Sequence, residues 1–127
     1  MRFLIVILLF LNSFGFAQKD LAEVYGPVER MPEYPGGMKE LMKFIASSVK
    51  YPKEAQKKKI TGRTMVKFVV DSLGRVVNPE VALSSGDGTL DKEALRVVNS
   101  MPRWNPGTLD GKPVKVLFNI PIKFDLK

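Results

Sequence analysis

The sequence lacks cysteine and histidine altogether and has a single tryptophan among its 127 residues. Such a chain has no thiol nucleophile, no Ser-His-Asp triad and no ordinary zinc or haem site. It forms no disulfide, so packing alone must stabilise its fold. The carboxylates of Asp87, Asp91 and Glu93 are the remaining candidates for acid–base chemistry, but their place at a predicted helix start is typical of capping. The composition argues against an enzyme, and we predict no catalytic residue, metal site or cofactor.

The chain also has no apolar run long enough for a typical membrane-spanning helix, which needs roughly 20 residues. Arg2 precedes an apolar run at residues 3–11, and small residues follow at the two positions that signal peptidase inspects. This order predicts a secretory signal over residues 1–17, cleaved before Gln18. An uncleaved membrane anchor is the alternative interpretation.

Positive charge exceeds negative charge, with 20 Lys and Arg against 13 Asp and Glu, a formal net charge of +7. Much of the excess forms a basic cluster of Lys50, Lys53, Lys57, Lys58, Lys59 and Arg63. Few aromatic residues accompany the cluster, so we do not expect nucleic-acid binding. A solvated helix face is the simpler interpretation, and contact with an anionic glycan or lipid is the functional one. Lys50, Lys57, Lys58 and the loop residue Trp104 are the candidate cell-wall contacts.

The patterning after residue 17 predicts one α+β domain. Residues 18–37 are rich in Pro and Gly and are expected to form an N-terminal extension, with the domain itself at residues 38–127. Helical spacing, alternation and turn residues then predict four elements and their boundaries. The first is a helix from Met38 to Val49, and a second helix begins at Pro52. A hairpin of Met65–Asp71 and Arg75–Leu83 follows, with its turn at Gly74. The last two elements are a helix that is capped by Thr89 and ended by Pro102, and a final strand. Helices packed on a small antiparallel sheet follow from this order.

The last strand is the most informative element. Val114, Val116, Phe118, Ile120, Ile122 and Phe124 alternate without a break, and Pro121 lies among them. Since proline cannot donate to a ladder, the strand is predicted at an edge of the sheet. A free edge can accept an extended peptide from a partner. However, Pro121, Lys115 and Lys123 are also devices that protect an edge from aggregation, and both interpretations stay open.

Short motifs in a fixed order along the chain resemble the TonB C-terminal domain family. They include Met31-Pro32-Glu33-Tyr34-Pro35-Gly36-Gly37, Tyr51-Pro52, Gly62-Arg63, Val66-Lys67-Phe68-Val69-Val70-Asp71, Gly74-Arg75-Val76, Leu83-Ser84-Ser85-Gly86, Met101-Pro102 with Trp104, and Pro121-Ile122 with Phe124. The resemblance implies two helices on a three-stranded antiparallel sheet. It also implies a periplasmic location.

The same resemblance implies a partner and a site. Members of the family bind the TonB box, a short extended segment of TonB-dependent outer-membrane transporters, as an added strand. The accepting strand here is Lys112 to Phe124, and the site residues are Val114, Lys115, Val116, Leu117, Phe118, Asn119, Ile120 and Ile122. In relatives the stretch just before the Tyr-Pro element also approaches the box. Here that stretch is Ser47-Ser48-Val49-Lys50, so Ser48 and Lys50 are possible peptide contacts. The resemblance leaves open whether the domain forms a homodimer.

A full transducer of the family has an N-terminal membrane helix for the inner-membrane motor proteins and a long Pro-rich spacer. Here a signal-like segment is followed by about 20 residues before the domain. If the signal is cleaved, we expect a periplasmic binding module in TonB-dependent transport; if it is retained, we expect contact with the motor. A peptidoglycan-associated protein without a transport role is the alternative class.

Overall fold

The computed structural model describes residues 28–126. The predicted signal, its cleavage site and residues 18–27 of the extension lie outside the described residues. The elements are α1 (Met38–Ser48), α2 (Lys53–Lys57), β1 (Gly62–Val70), β2 (Val76–Leu83), α3 (Gly88–Asn99), β3 (Gly107–Leu109), β4 (Lys112–Val114) and β5 (Val116–Phe124). The predicted α+β class with a three-stranded antiparallel sheet is confirmed, with α2 as a third, short helix.

The first two helices begin where the sequence predicts. Gly37, with φ of 88°, precedes α1, whose buried residues Leu41 and Ile45 lie one turn apart. Pro52 precedes α2, and its carbonyl accepts the N–H of Gln56 at 2.9 Å. The described residues contain no helix of the length and apolar character that crossing a membrane requires.

Two details at the third helix differ from the prediction. α3 begins at Gly88, and its N-cap is Asp87 rather than Thr89; the Asp87 carboxylate accepts the Thr89 N–H at 2.8 Å. A carboxylate is the better cap here because it takes the Thr89 hydroxyl as well, at 2.9 Å. Leu90, Ala94, Val97 and Val98 on this helix are fully buried.

The main sheet has the strand order β2-β1-β5, so β5 lies at an edge, as predicted from Pro121. The predicted β1–β2 hairpin is confirmed as well. It turns at Gly74, whose φ of 84° favours glycine. A Cβ there would lie 2.0 Å from the carbonyl oxygen of Trp104, so this turn tolerates no side chain.

The long last strand predicted over residues 112–124 is wrong in one respect: it is two strands. β4 pairs with β3 in a separate hairpin, in which Val114 lies opposite Gly107, whereas β5 pairs with β1. The tight turn at Asp110 and Gly111, both with positive φ, folds β4 back on β3. Alternation alone hides this break because both strands keep the same period of two residues.

Part of the predicted N-terminal extension packs on the domain. Glu33 exchanges two backbone hydrogen bonds with Asn105, at 2.8 and 2.9 Å, and Arg30 pairs with Thr108. The next residue, Tyr34, is only 8% exposed. Residues 28–34 therefore lie along the β3–β4 hairpin like an additional short strand.

Trp104 belongs to the core, where its ring contacts Tyr34, Phe68 and Phe118 at centroid distances of 5.7, 5.6 and 5.3 Å. It is only 4% exposed. The loop position of Trp104 left a cell-wall contact open, but a buried ring has no face to offer a sugar. That interpretation is corrected: Trp104 packs between the sheet and the N-terminal segment.

Candidate strand-accepting edge

One side of β5 has no neighbouring strand among residues 28–126, since β5 is hydrogen-bonded to β1 alone. All nine residues of β5 pair with β1 in one continuous register, from Val116 opposite Val70 to Phe124 opposite Gly62. An edge with an unbroken register presents a template for another strand.

Pro121 fixes which backbone groups of β5 point outward. It lies opposite Met65 within the continuous ladder although it has no N–H to donate. In an antiparallel strand, the backbone groups of successive residues point to alternate sides. The continuous ladder thus indicates that Pro121 and the other odd-numbered residues direct their groups away from β1. The outward donors are the N–H groups of Leu117, Asn119 and Lys123.

The side chains of β5 alternate between the two faces of the sheet. Val116, Ile120 and Ile122 are buried, and Phe118 is partly buried on the same face. Of these predicted site residues, only Phe118 has a side chain that a partner could contact. The others are buried and can contribute only backbone groups. The opposite face carries Leu117 and Asn119, both half-buried.

Two predicted site residues are not on the accepting strand. Val114 belongs to β4 and pairs with Gly107, and Lys115 lies between β4 and β5. The prediction that both residues lie on the accepting strand is therefore wrong, because the strand predicted over residues 112–124 is divided at Lys115. The open edge begins at Val116.

The segment before Tyr51 is held by α3. The Arg96 guanidinium donates to the Ser48 carbonyl at 2.6 Å, and the Lys50 N–H donates to the Glu93 carboxylate at 2.7 Å. Glu93 and Arg96 also form an ion pair at 2.7 Å. The hydrogen bond from Arg96 lowers the pKa of Glu93 and raises that of Arg96. Glu93 was predicted only as a capping group, and no sequence pattern marked this link, which spans more than forty residues.

The basic cluster remains at the surface. Lys53, Lys57, Lys58 and Lys59 are all exposed, and none of them is in an ion pair within the described range. Lys53 and Lys57 border an open cleft together with Glu54 and Gln56. The arrangement offers several unneutralised charges to an anionic surface.

Residues 47–126 match the family model described as the Gram-negative bacterial TonB protein C-terminal region. The chain belongs to the TonB C-terminal domain family. It is 35% identical over 78 residues to Protein TonB of Vibrio cholerae, which covers 61% of this chain and 32% of that protein. With Protein TonB of Pseudomonas putida it shares 26% identity over 103 residues, or 79% of this chain and 42% of that one. The match thus spans less than half the length of these curated relatives.

Solved structures of the family agree with the fold. The TonB C-terminal domain of Helicobacter pylori superimposes with a TM-score of 0.56 at 28% identity, covering 71% of this chain and 94% of that domain. The Pseudomonas aeruginosa domain gives a TM-score of 0.52 at 28% identity, covering 61% and 78%. The family and fold expected from the motifs are confirmed.

Proposed function

We propose that this chain is a periplasmic TonB-like binding module that takes the box peptide of an outer-membrane transporter as a strand added to β5, in TonB-dependent transport. The observation that carries the proposal is the open, continuous β5 edge. Membership of the TonB C-terminal domain family supports the choice of partner. The outward N–H groups at Leu117 and Asn119 supply the first ladder bonds, while Pro121 interrupts the donor row and limits how far pairing extends.

The proposal is tested by titrating residues 18–127 with peptides copied from the periplasmic N-terminal segments of outer-membrane transporters of the same genome. Amide shifts should concentrate on Val116 to Phe124 and the neighbouring Ser48–Lys50 segment. Scrambled peptides of equal composition are the control. Sedimentation of the free domain checks whether a homodimer already occupies the edge. If monomeric domain shows no shift on β5 with any such peptide, strand addition is wrong.

The N-terminus decides whether this module acts alone. We propose that residues 1–17 are a secretory signal removed on export, rather than a membrane anchor kept for contact with the inner-membrane motor proteins. The intact mass of the protein recovered from the envelope tests this. A chain beginning at Gln18 supports the detached module, and an intact Met1 contradicts it and favours an anchored transducer.

A peptidoglycan-associated role is the second candidate, favoured by the unpaired charges of Lys57, Lys58 and Lys59. Pull-down on purified sacculi tests it, with the three lysines replaced by Glu in the variant. The proposed surface requires the variant to be lost from the sacculi, and retained binding contradicts it. Since Trp104 is buried, the charges must act without an aromatic platform.

A further inference from the structure

A cleft of about 220 Å³ opens next to the strand-accepting edge. Phe118 of β5 forms one wall of it, with Leu41 and Trp104 also in contact with the space. Phe68 lies opposite Phe118 on β1 and is fully buried, whereas Phe118 is only partly buried. The difference arises because Phe118 has a strand on one side only. The cleft therefore shares Phe118 with the strand whose open side would receive a partner strand.

Two exposed methionines border the same cleft. Met31 of the N-terminal segment is 48% exposed, and Met38 at the start of α1 is 63% exposed. Together with the cleft, these two side chains form an apolar surface, and such surfaces are typical of binding grooves. Methionine is unbranched and polarizable, so it adapts to the shape of an apolar group that enters beside it.

The deeper walls of the cleft are buried in comparison. The Trp104 ring lies 5.3 Å from Phe118 and 5.7 Å from Tyr34, measured between centroids. Tyr34 is itself fixed by the Glu33–Asn105 backbone pair, with its ring 5.9 Å from Phe44. A fixed aromatic floor with two adaptable rims is suited to binding one aliphatic side chain.

Strand geometry places a partner side chain at this point. A strand added to β5 lies roughly 4.8 Å from it, and its alternate side chains stand on the core face of the sheet. Because Leu117 and Asn119 supply the outward donors, the partner residue between their ladder bonds lies opposite Phe118. Side chains opposite each other on one face come within contact distance.

We propose that the cleft is a specificity pocket, which takes one aliphatic side chain of the partner strand at the position opposite Phe118. The inference rests on the proposed strand addition and deepens it. It requires the box peptide to carry a residue such as Leu, Ile or Met at one fixed position. The pocket disfavours an acidic or small polar residue there, since Glu33 also lines the cleft.

The test is a double-mutant cycle between peptide and domain. A transporter peptide is made as a set in which each residue in turn is replaced by Ser, and affinities are measured by fluorescence anisotropy. One replacement should weaken binding by about tenfold to a hundredfold, the effect of withdrawing a buried aliphatic side chain. In the Met38→Gln variant, the same replacement should cost several-fold less, since the two residues interact directly.

Met42→Gln is the matched control. Met42 lies on α1 like Met38 and is 57% exposed, but it does not border the cleft. Coupling to Met38 and none to Met42 supports the pocket. If β5 amides shift on binding but no peptide position couples to Met38, the pocket is wrong while strand addition stands. If no peptide moves the β5 amides, the proposed function fails and the pocket fails with it.

Discussion

The two edges of the main sheet are built differently. β5 pairs with β1 residue by residue, whereas the β1–β2 ladder shifts register twice, between Met65 and Val66 and between Lys67 and Val69. On the β2 side, the first shift lies at Ala82, and the second lies at Asn78, whose φ is 53°, and the proline that follows it. Bulges and prolines twist an edge and interrupt its donors, which protects it from strand addition.

The contrast shows that edge protection is uneven in this domain. β2 is interrupted along its length, and α3 packs beside it. β5 has one interruption, at Pro121, and three outward donors remain. The proposed strand addition is consistent with an edge of this kind, which is interrupted at one point and regular elsewhere.

The largest effect on the difference between the two edges is expected from removing the Trp104 ring, which packs against β5. Trp104→Ala should lower the free energy of unfolding by about 3–5 kcal/mol, because the ring fills the core between Phe68 and Phe118. Urea denaturation measures the change, with Trp104→Phe as a milder control that keeps an aromatic ring. A loss below about 1 kcal/mol would contradict the placement of this ring in the core.

The β2 side has its own anchor in Asp91. Its carboxylate accepts hydrogen bonds from Thr64 at 2.7 Å and from the Ser85 N–H at 2.9 Å, which joins the start of β1 and the loop after β2 to α3. Partial burial raises the pKa of Asp91, but hydrogen bonds from Ser84, Ser85 and Thr64 outweigh this and lower it to about 2. Asp91→Asn should therefore cost about 2 kcal/mol at pH 7.

The sign of the pH dependence follows from the lowered pKa. Ionised Asp91 stabilises the fold fully above the ordinary value of 3.8, and the contribution is lost as pH falls through about 2. Urea unfolding at several pH values should show the gap between wild type and Asp91→Asn constant above pH 5 and narrowing toward pH 2. A gap independent of pH would contradict the role of the charge.

The outward donors of β5 can be removed one at a time. Asn119→Pro deletes one of them and should weaken peptide binding about tenfold, an effect close to one lost hydrogen bond. Asn119→Ala keeps the N–H and should bind within about twofold of wild type. Fluorescence anisotropy measures the peptide affinity of wild type and of the two variants. Equal affinities for the Pro and Ala variants would contradict the role of the Asn119 N–H as an outward donor.

The smallest expected effect concerns the irregularity of β2. Asn tolerates the left-handed conformation at position 78, whereas a β-branched residue does not. Asn78→Val should lower the free energy of unfolding by about 1 kcal/mol, and Asn78→Gly should leave it nearly unchanged. Thermal or urea unfolding distinguishes the two. If Asn78→Val is as stable as wild type, the fold does not require the left-handed conformation at position 78.

Local patterns predicted the helices, the hairpin and the edge position of the last strand, because each depends on nearby residues such as Gly74 and Pro121. They did not predict the break at Lys115, since alternation continues across it. Contacts between distant residues were also invisible: the Arg96–Ser48 bond and the packing of Tyr34 on Trp104 arise only in the folded chain. The sequence predicted the candidate strand, but not the cleft beside it, because the walls of the cleft come from residues far apart in the sequence.

Amide hydrogen exchange at single-residue resolution, with and without a transporter peptide, tests the central claim most directly. Strand addition at β5 predicts increased protection at Leu117, Asn119 and Lys123, strongest at the first two, and no change along β2. Protection gained on β2, or unchanged exchange at Leu117 and Asn119 with peptide bound, would contradict the account.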